Sequence, residues 1–485
     1  MRHPLLYRVA LAATLAVSVG LAGLGLWRWF TFDPAAGLGV RLPGRDGRPE
    51  APAAREPAVD LAGVFQTFDG VAASLTGAWP RFRGADFDSI CKNGVRLANS
   101  WGQDGPPTRW SLDMLGEGHA APVVLDGRVY VIDYDEATRS DAVRCLSLED
   151  GREIWRRSYK VRVKRNHGMS RTIPAVSESL LVTMGPRCHV VCLDPKSGDF
   201  RWGIDLVREY GTTEPLWYTG QCPLIDGDHV ILAACGTDTL MMAMDGLSGN
   251  VAWTVPNPDH LEMSHSSIMP MVVAGVRTYV YCALGAVVGV AAEGERLGQE
   301  LWRVPWNARV VAPSPVQIDG ERILLTAGYG VGGMMVRVQN NGGAFSAEVL
   351  YAKGPKEGMA CEQQTPIQWK GLLYGIMPKD AGTLREQFAC YHPDGHLVWS
   401  SGPENRFGLG PFLLADNKFY VLSDDGVLTM IEASAEAFIP LDRARVLRGQ
   451  DAWGPIAVAG SRMLLRDSRR MTCIDVGASQ EDASR

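Results

Sequence analysis

The sequence predicts an all-β protein: an eight-bladed β-propeller closed by an N-terminal strand that completes the last blade, preceded by an N-terminal transmembrane helix. Three observations carry that expectation. A proline opening a short apolar run recurs at Pro122, Pro174, Pro223, Pro270, Pro315, Pro366, Pro411 and Pro455, eight copies with gaps of 44 to 52 residues. Each copy alternates apolar and polar residues around Asp-Gly or Ser-Gly turns, which gives about four short strands, a sheet too small to stand alone. Four strands at this period stack as propeller blades.

The third observation is a spacing. A small residue is followed by Gly six positions on and by Trp four after that: Cys145, Gly151 and Trp155; Cys192, Gly198 and Trp202; Ala243, Gly249 and Trp253; Ala292, Gly298 and Trp302; Ala389, Gly395 and Trp399. Gly suits a turn needing positive φ, and Trp covers a broad face of the neighbouring blade. Blade 5 lacks the Trp, with Leu350 or Tyr351 as substitutes, and blade 7 replaces its turn with Ala433-Ser434-Ala435-Glu436.

The elements follow in order. From Val9 to Trp27 the chain has nineteen uncharged residues after Arg2, His3 and Arg8, long enough at about 1.5 Å per residue to cross the hydrocarbon core. Trp27 and Trp29 stand where an interfacial aromatic belt would lie. Residues 1–30 are therefore expected to be an anchor, with a cleaved signal segment as the alternative. Residues 31–60, rich in Pro, Ala, Gly and Arg, read as a flexible tether. Residues 61–106 contain Phe65, Phe68, Trp79 and Phe82 and are expected to fold over an end of the propeller. The propeller itself is assigned to residues 107–476 and a disordered tail to residues 477–485.

Closure is read from a mismatch at the ends. The last copy keeps Cys473-Ile474-Asp475 and stops before its Gly turn and Trp, whereas a lone strand, Pro107 to Asp113 with Trp110, precedes the first complete copy. That strand is expected to supply the missing outer strand of blade 8 and remove two sheet edges. Trp110 thus joins Trp155, Trp202, Trp253, Trp302 and Trp399 as a docking residue.

This pattern resembles the tryptophan-docking repeat of the PQQ-like, quinoprotein-type β-propeller superfamily, whose Asp is kept at Asp194, Asp245 and Asp475. The superfamily includes quinoprotein alcohol dehydrogenases and the B lipoprotein of the outer-membrane β-barrel assembly machinery. Trp79-Pro80-Arg81-Phe82-Arg83-Gly84 and the tail from Leu428 to Val476 are similar to PQQ-like repeat proteins abundant in planctomycete-type bacteria. The resemblance covers about Trp79 to Val476.

Three functions compete, one of them a hydrolytic or metal-dependent activity in the funnel. A dehydrogenase would, by the resemblance, hold PQQ and Ca²⁺ in the funnel with an Asp general base and a pair of adjacent cysteines against the quinone. This sequence has no adjacent cysteine pair, and Glu362, Asn166 and Asp451 would have to be the metal ligands. The preferred expectation is a membrane-tethered, extracytoplasmic, non-catalytic propeller that binds a protein or an envelope polymer, with no cofactor and no nucleic acid, since the net charge is −6. It would sit on the inner membrane with the propeller in the periplasm or an equivalent space. No zinc-protease HExxH, phosphate-binding GxxxxGK[ST] or haem-binding CxxCH occurs, and no catalytic or metal-binding residue is assigned.

Candidate ligand residues follow from the ring, because inner strands begin near the central channel. Just before the prolines stand His119, Arg171, Gln221, His265, Gln363 and Trp453, with Asn166 and Glu362 close by. The basic run from Arg156 to Arg165 is a charged connection or a rim for an acidic partner or phospholipid head groups. Of the ten cysteines, Cys145, Cys192 and Cys473 fall on the small-residue position and read as core. Cys188 and Cys192 would lie about 13 Å apart on a strand, too far to share one ion. Cys222 and Cys235, on the two arms of one hairpin, are the pair best placed for a bridge.

Overall fold

A computed structural model of the protein describes residues 4–31 and 58–478; most of the expected tether and tail lies outside them. The chain divides into two units. The first contains the helix Pro4–Thr31, whose segment Leu11–Thr31 is long and apolar enough to cross a membrane, with mean hydropathy 1.5. Leu, Val and Ala drive this helix, and Ser18 and Thr31 return their hydroxyls to the carbonyls of Thr14 and Trp27, at 2.9 and 2.7 Å. Such back-bonding satisfies hydroxyls where water is absent.

The second unit is an eight-bladed propeller: eight antiparallel sheets follow one another along the chain. Inner strands Val123–Leu125, Ala175–Val176, Leu224–Asp226, Met269–Val273, Val316–Gln317, Ile367–Trp369, Phe412–Ala415 and Ala457–Ala459 each begin within two residues of a repeat proline. Proline suits the first residue of an inner strand, where its missing N–H costs no ladder bond. Blade 8 is closed as the sequence implies, by Thr108–Asp113 lying antiparallel to Arg470–Asp475 with Trp110 opposite Cys473.

The hydrophobic core is distributed between blades, each buried cluster joining neighbouring sheets. Its repeating contact is a Trp laid on the turn glycine of the next blade. Trp110 lies on Gly151, Trp155 on Gly198, Trp202 on Gly249 and Trp253 on Gly298; a Cβ on Gly249 would come within 2.6 Å of the Trp202 ring. These glycines have φ between 72° and 75°, so both the backbone and the ring above demand Gly. The indoles of Trp110 and Trp202 also donate to Leu148 O and Gly246 O, at 3.0 and 2.8 Å. In blade 5 Tyr351 takes the place of Trp and donates to Pro393 O of blade 6 at 2.9 Å.

Two small-residue assignments shift. Trp302 faces Gly289 rather than Ala292, because the turn of blade 4 is lengthened by a 3₁₀ segment at Gly294–Arg296. Trp399 faces Cys390 rather than Ala389, because the blade 6 turn is one residue tighter. Cys145, Cys192 and Cys473 do stand opposite Trp155, Trp202 and Trp110. All ten cysteines are free thiols. Cys222 and Cys235, the pair best placed for a bridge, do not form one: Cys222 faces the channel and accepts from Ile173 N at 3.3 Å, while Cys235 packs beside Tyr281.

Residues 58–106 bind the propeller at three levels. Val64–Thr67 adds a fifth strand to the outer edge of blade 1, paired with Glu153–Lys160. Ile90–Cys91 runs parallel to the inner strand of blade 7, and Leu97 and Ala98 meet the end of blade 8. The segment between them crosses the channel.

Candidate functional site

Inner strands expose a free backbone edge to the channel, and residues Trp79–Ile90 use those edges. Trp79 exchanges two 2.9 Å hydrogen bonds with Val124 of blade 1, and Pro80 O accepts from Val176 of blade 2 at 2.8 Å. Arg81 Nη1 donates to Ile225 O of blade 3 at 3.3 Å. On the opposite side Arg83 donates to Thr365 O and Pro366 O of blade 6, both at 3.0 Å, and to Phe87 O at 2.7 Å. Bonds to blades on both sides make this segment a floor. Above it remains a cavity of about 490 Å³ whose lining includes Trp79, Phe82, Arg83 and Ser89.

Six of the eight residues picked out beside the repeat prolines line this cavity: His119, Arg171, His265, Glu362, Gln363 and Trp453. Gln221 does not. Its amide turns back to bond Ala233 N and O at 2.9 and 3.0 Å, so it is fully buried within blade 3. Asn166 also stays out of the lining and offers its carbonyl to Arg171 at 2.7 Å. His119 packs against Trp453, ring centroids 5.0 Å apart, and the Trp453 indole donates to Asp424 Oδ1 at 2.8 Å.

The electrostatics are dominated by guanidinium groups that have no carboxylate partner within ion-pair distance among the described residues. Arg171 is held by backbone carbonyls: Trp217 O at 2.7 Å, Asn166 O at 2.7 Å and His167 O at 2.8 Å. Burial lowers it to about 10, and burial does the same to Arg83 and to Arg466, which stands behind the wall and donates to Ala120 O at 2.9 Å. Carbonyl dipoles stabilise these charges without neutralising them. Burial, reinforced by the Arg171 charge, pushes His119 and His265 down to about 3, so both imidazoles are neutral. Their Nδ1 atoms are buried and make no hydrogen bond of normal geometry. Among the described residues Glu362 is the one carboxylate in the lining, and burial raises it.

The mouth is built by residues outside the repeat register: His167, Trp217, Tyr329 and Lys379. His167, Trp217 and Tyr329 have φ of 50°, 64° and 57°. A bulky side chain there carries strain of about 1–3 kcal/mol per residue, which the fold sustains elsewhere and which clusters at working sites. Trp217 stacks on His265 (6.3 Å, 21°) and contacts Tyr329 (5.8 Å). Two of these residues carried a sequence signal: Trp217 is a Trp off the Gly-Trp spacing, and Tyr329 is flanked by Gly328 and Gly330. Lys379 carried none. The basic run from Arg156 leads to this mouth. Arg156 is spent on Glu153 and Arg157 on carbonyls, whereas Lys160, Arg162, Lys164 and Arg165 are exposed, Arg165 meeting Glu117 at 2.7 Å.

A family model described as outer membrane protein assembly factor BamB matches residues 139–342, from the third strand of blade 1 through most of blade 5. The chain is an eight-bladed β-propeller, and the match to that family model covers its blades 1 to 5. Similar solved structures include BamB from Moraxella catarrhalis, 14% identical over 76% of this propeller's chain and 99% of its own, TM-score 0.51. The quinohemoprotein alcohol dehydrogenase ADHIIG of Pseudomonas putida HK5 is 13% identical over 83% and 81% of the two chains, TM-score 0.55. A europium-containing methanol dehydrogenase is 12% identical over 82% and 89%, TM-score 0.56. No curated protein matches the chain at a significant level. These likenesses are of fold, and one fold hosts different chemistries.

The quinone and Ca²⁺ that the dehydrogenase branch implies can be tested against the lining. Ca²⁺ takes six to eight oxygen ligands, several of them carboxylates. Here one carboxylate faces Arg83, Arg171 and Lys379, and Asp451 is not in the lining. No group of three His, Cys, Asp or Glu side chains among the described residues could hold a metal. Cys222 is the single thiol present, with no neighbour to pair against a quinone. The donor set does not fit a calcium–quinone site.

Proposed function

We propose that this propeller is a membrane-tethered, non-catalytic binding module of the extracytoplasmic space, and that its floored channel takes a ligand or the tip of an envelope partner through the open mouth. The observation that carries the reading is the lining itself: a cavity of about 490 Å³ with buried cations, neutral imidazoles and one carboxylate. Its size lies within the ordinary range for ligand pockets, about 300–1,000 Å³. The helix Pro4–Thr31 supports tethering, and the BamB-like repeat supports a scaffold that works by its surfaces.

The second reading, a PQQ-dependent dehydrogenase with quinone and calcium in the funnel, is favoured by fold likeness alone. Titrating the full-length protein in detergent with PQQ, with and without Ca²⁺, separates the two. Binding in this channel predicts no calcium-dependent, one-to-one change in quinone absorbance. Such a change, abolished by chelator, would overturn the binding-module reading.

A further inference from the structure

We propose that the channel recognises an acidic sugar: a hydroxyl-bearing ring with a carboxylate, sulfate or phosphate substituent, presented end-on through the mouth formed by Trp217, Tyr329 and Lys379. The proposal rests on the binding-module reading above and names the class of ligand. The charge argument comes first. Arg171 has five N–H donors, and its bonds to Trp217, Asn166 and His167 leave Nε and one hydrogen of Nη1 unspent. Among the described residues no carboxylate lies within ion-pair distance of Arg171, Arg83 or Lys379 (Arg171 and Arg83 through carbonyls alone, Lys379 exposed at the mouth). Lys379 already feels the carboxylates of Glu362 and Asp424, so an anionic substituent would chiefly supply the counter-charge that Arg83 and the half-buried Arg171 lack.

The rest of the lining suits hydroxyl groups better than a bare anion. A sugar hydroxyl donates and accepts at once, and so needs partners that do both. The neutral rings of His119 and His265 and the amide of Gln363, all in the lining, are such partners. Trp217, Tyr329 and Trp453 add aromatic faces, on which the C–H face of a sugar ring packs. Trp217 and Tyr329 are held over the cavity by left-handed backbone, a placement blade packing does not require. The floor of Trp79, Phe82 and Arg83 prevents threading, so the channel accepts a chain end or a free sugar.

The test uses the full-length protein in detergent, following tryptophan fluorescence and binding heat with glucuronate, glucose 6-sulfate, glucose 6-phosphate, glucose and inorganic phosphate. At least one acidic sugar is expected to bind one-to-one, about tenfold or more tighter than both glucose and inorganic phosphate. Which acidic sugar prevails identifies the anionic group. Lys379→Met, at an exposed side chain with no ion pair among the described residues, should leave the melting temperature nearly unchanged and weaken the acidic sugar several-fold without altering glucose. Failure of all three acidic sugars, or equal binding of glucose or phosphate, would overturn the proposal; calcium-dependent PQQ uptake would instead overturn the reading beneath it.

Discussion

Removing the Trp202 ring tests the docking contact that repeats around the propeller. Its side chain is 8% exposed, lies on Gly249 of blade 3 and donates to Gly246 O at 2.8 Å. A buried Trp removes about 200 Å² from water, worth about 5 kcal/mol at 25 cal/mol per Å². A compact unfolded chain trims this by some 10–40%. Trp202→Ala should therefore cost about 3–5 kcal/mol, in line with other large-to-small core changes. Trp202→Phe keeps most of the area and loses the indole N–H, leaving Gly246 O with only the weak Cys192 thiol donor at 3.5 Å, so about 1–2 kcal/mol is expected. Trp399 provides the internal control, because its buried indole nitrogen has no partner. Trp399→Phe should be nearly neutral, within about 1 kcal/mol. The assay is urea denaturation followed by far-UV circular dichroism. A cost below about 1 kcal/mol for Trp202→Ala, or equal costs for the two Phe variants, would refute the reasoning.

Deleting residues 108–113 should leave Arg470–Asp475 as an open edge and bare Gly151 of Trp110, lowering the melting temperature and promoting aggregation; an unaltered melting temperature would contradict closure. Burial pushes the Asp141 carboxyl up to about 6 from 3.8, against the opposing hydrogen bond from Tyr159 at 2.6 Å. The folded state then holds the proton more tightly, so this group's contribution to stability is lost as pH rises from about 4 to about 6. Stability of the wild type relative to Asp141→Asn should fall by up to about 3 kcal/mol across that window, and a flat difference would disprove the linkage. Arg83→Met strips donors from Thr365 O, Pro366 O and Phe87 O; faster hydrogen exchange confined to residues 79–91 is expected, and unchanged exchange there would show that Arg83 does not hold the floor.

How much of this was legible in the sequence depends on how local the cause is. The Trp-on-Gly contact has both partners at a fixed spacing in consecutive copies, so it repeats in the sequence as it repeats in space. Blade 8 was legible for a related reason: an incomplete copy at one end matched an orphan strand at the other. The shifts to Gly289 and Cys390 arose where a turn changed length, which alternation alone does not register. Inside the channel, residues beside the prolines could be listed but not oriented. Gln221 and Trp453 both stand two residues before a repeat proline, yet the Gln221 amide finds Ala233 within its own blade while Trp453 lines the cavity against His119. Trp217, Tyr329 and Lys379 sit on connections whose lengths follow no period. The floor was hidden for a stronger reason, since Trp79 to Ile90 takes its shape from five blades spread over some 300 residues.

That floor and the placement of the mouth residues are linked. Every blade must present an unpaired inner edge to the channel, and those backbone groups need partners. At one end Trp79, Pro80 and Ile90–Cys91 provide them with main chain, which carries little chemical specificity. The opposite end is left to the connections between strands, which the docking code does not constrain. There the chain spends conformational strain at His167, Trp217 and Tyr329 and holds the half-buried Arg171 on carbonyls. Neither feature improves blade packing, and both cost stability. Their concentration around one cavity is what the proposed ligand site would account for and a merely water-filled channel would not, since the latter would be served equally well by hydrogen-bonded side chains in relaxed backbone.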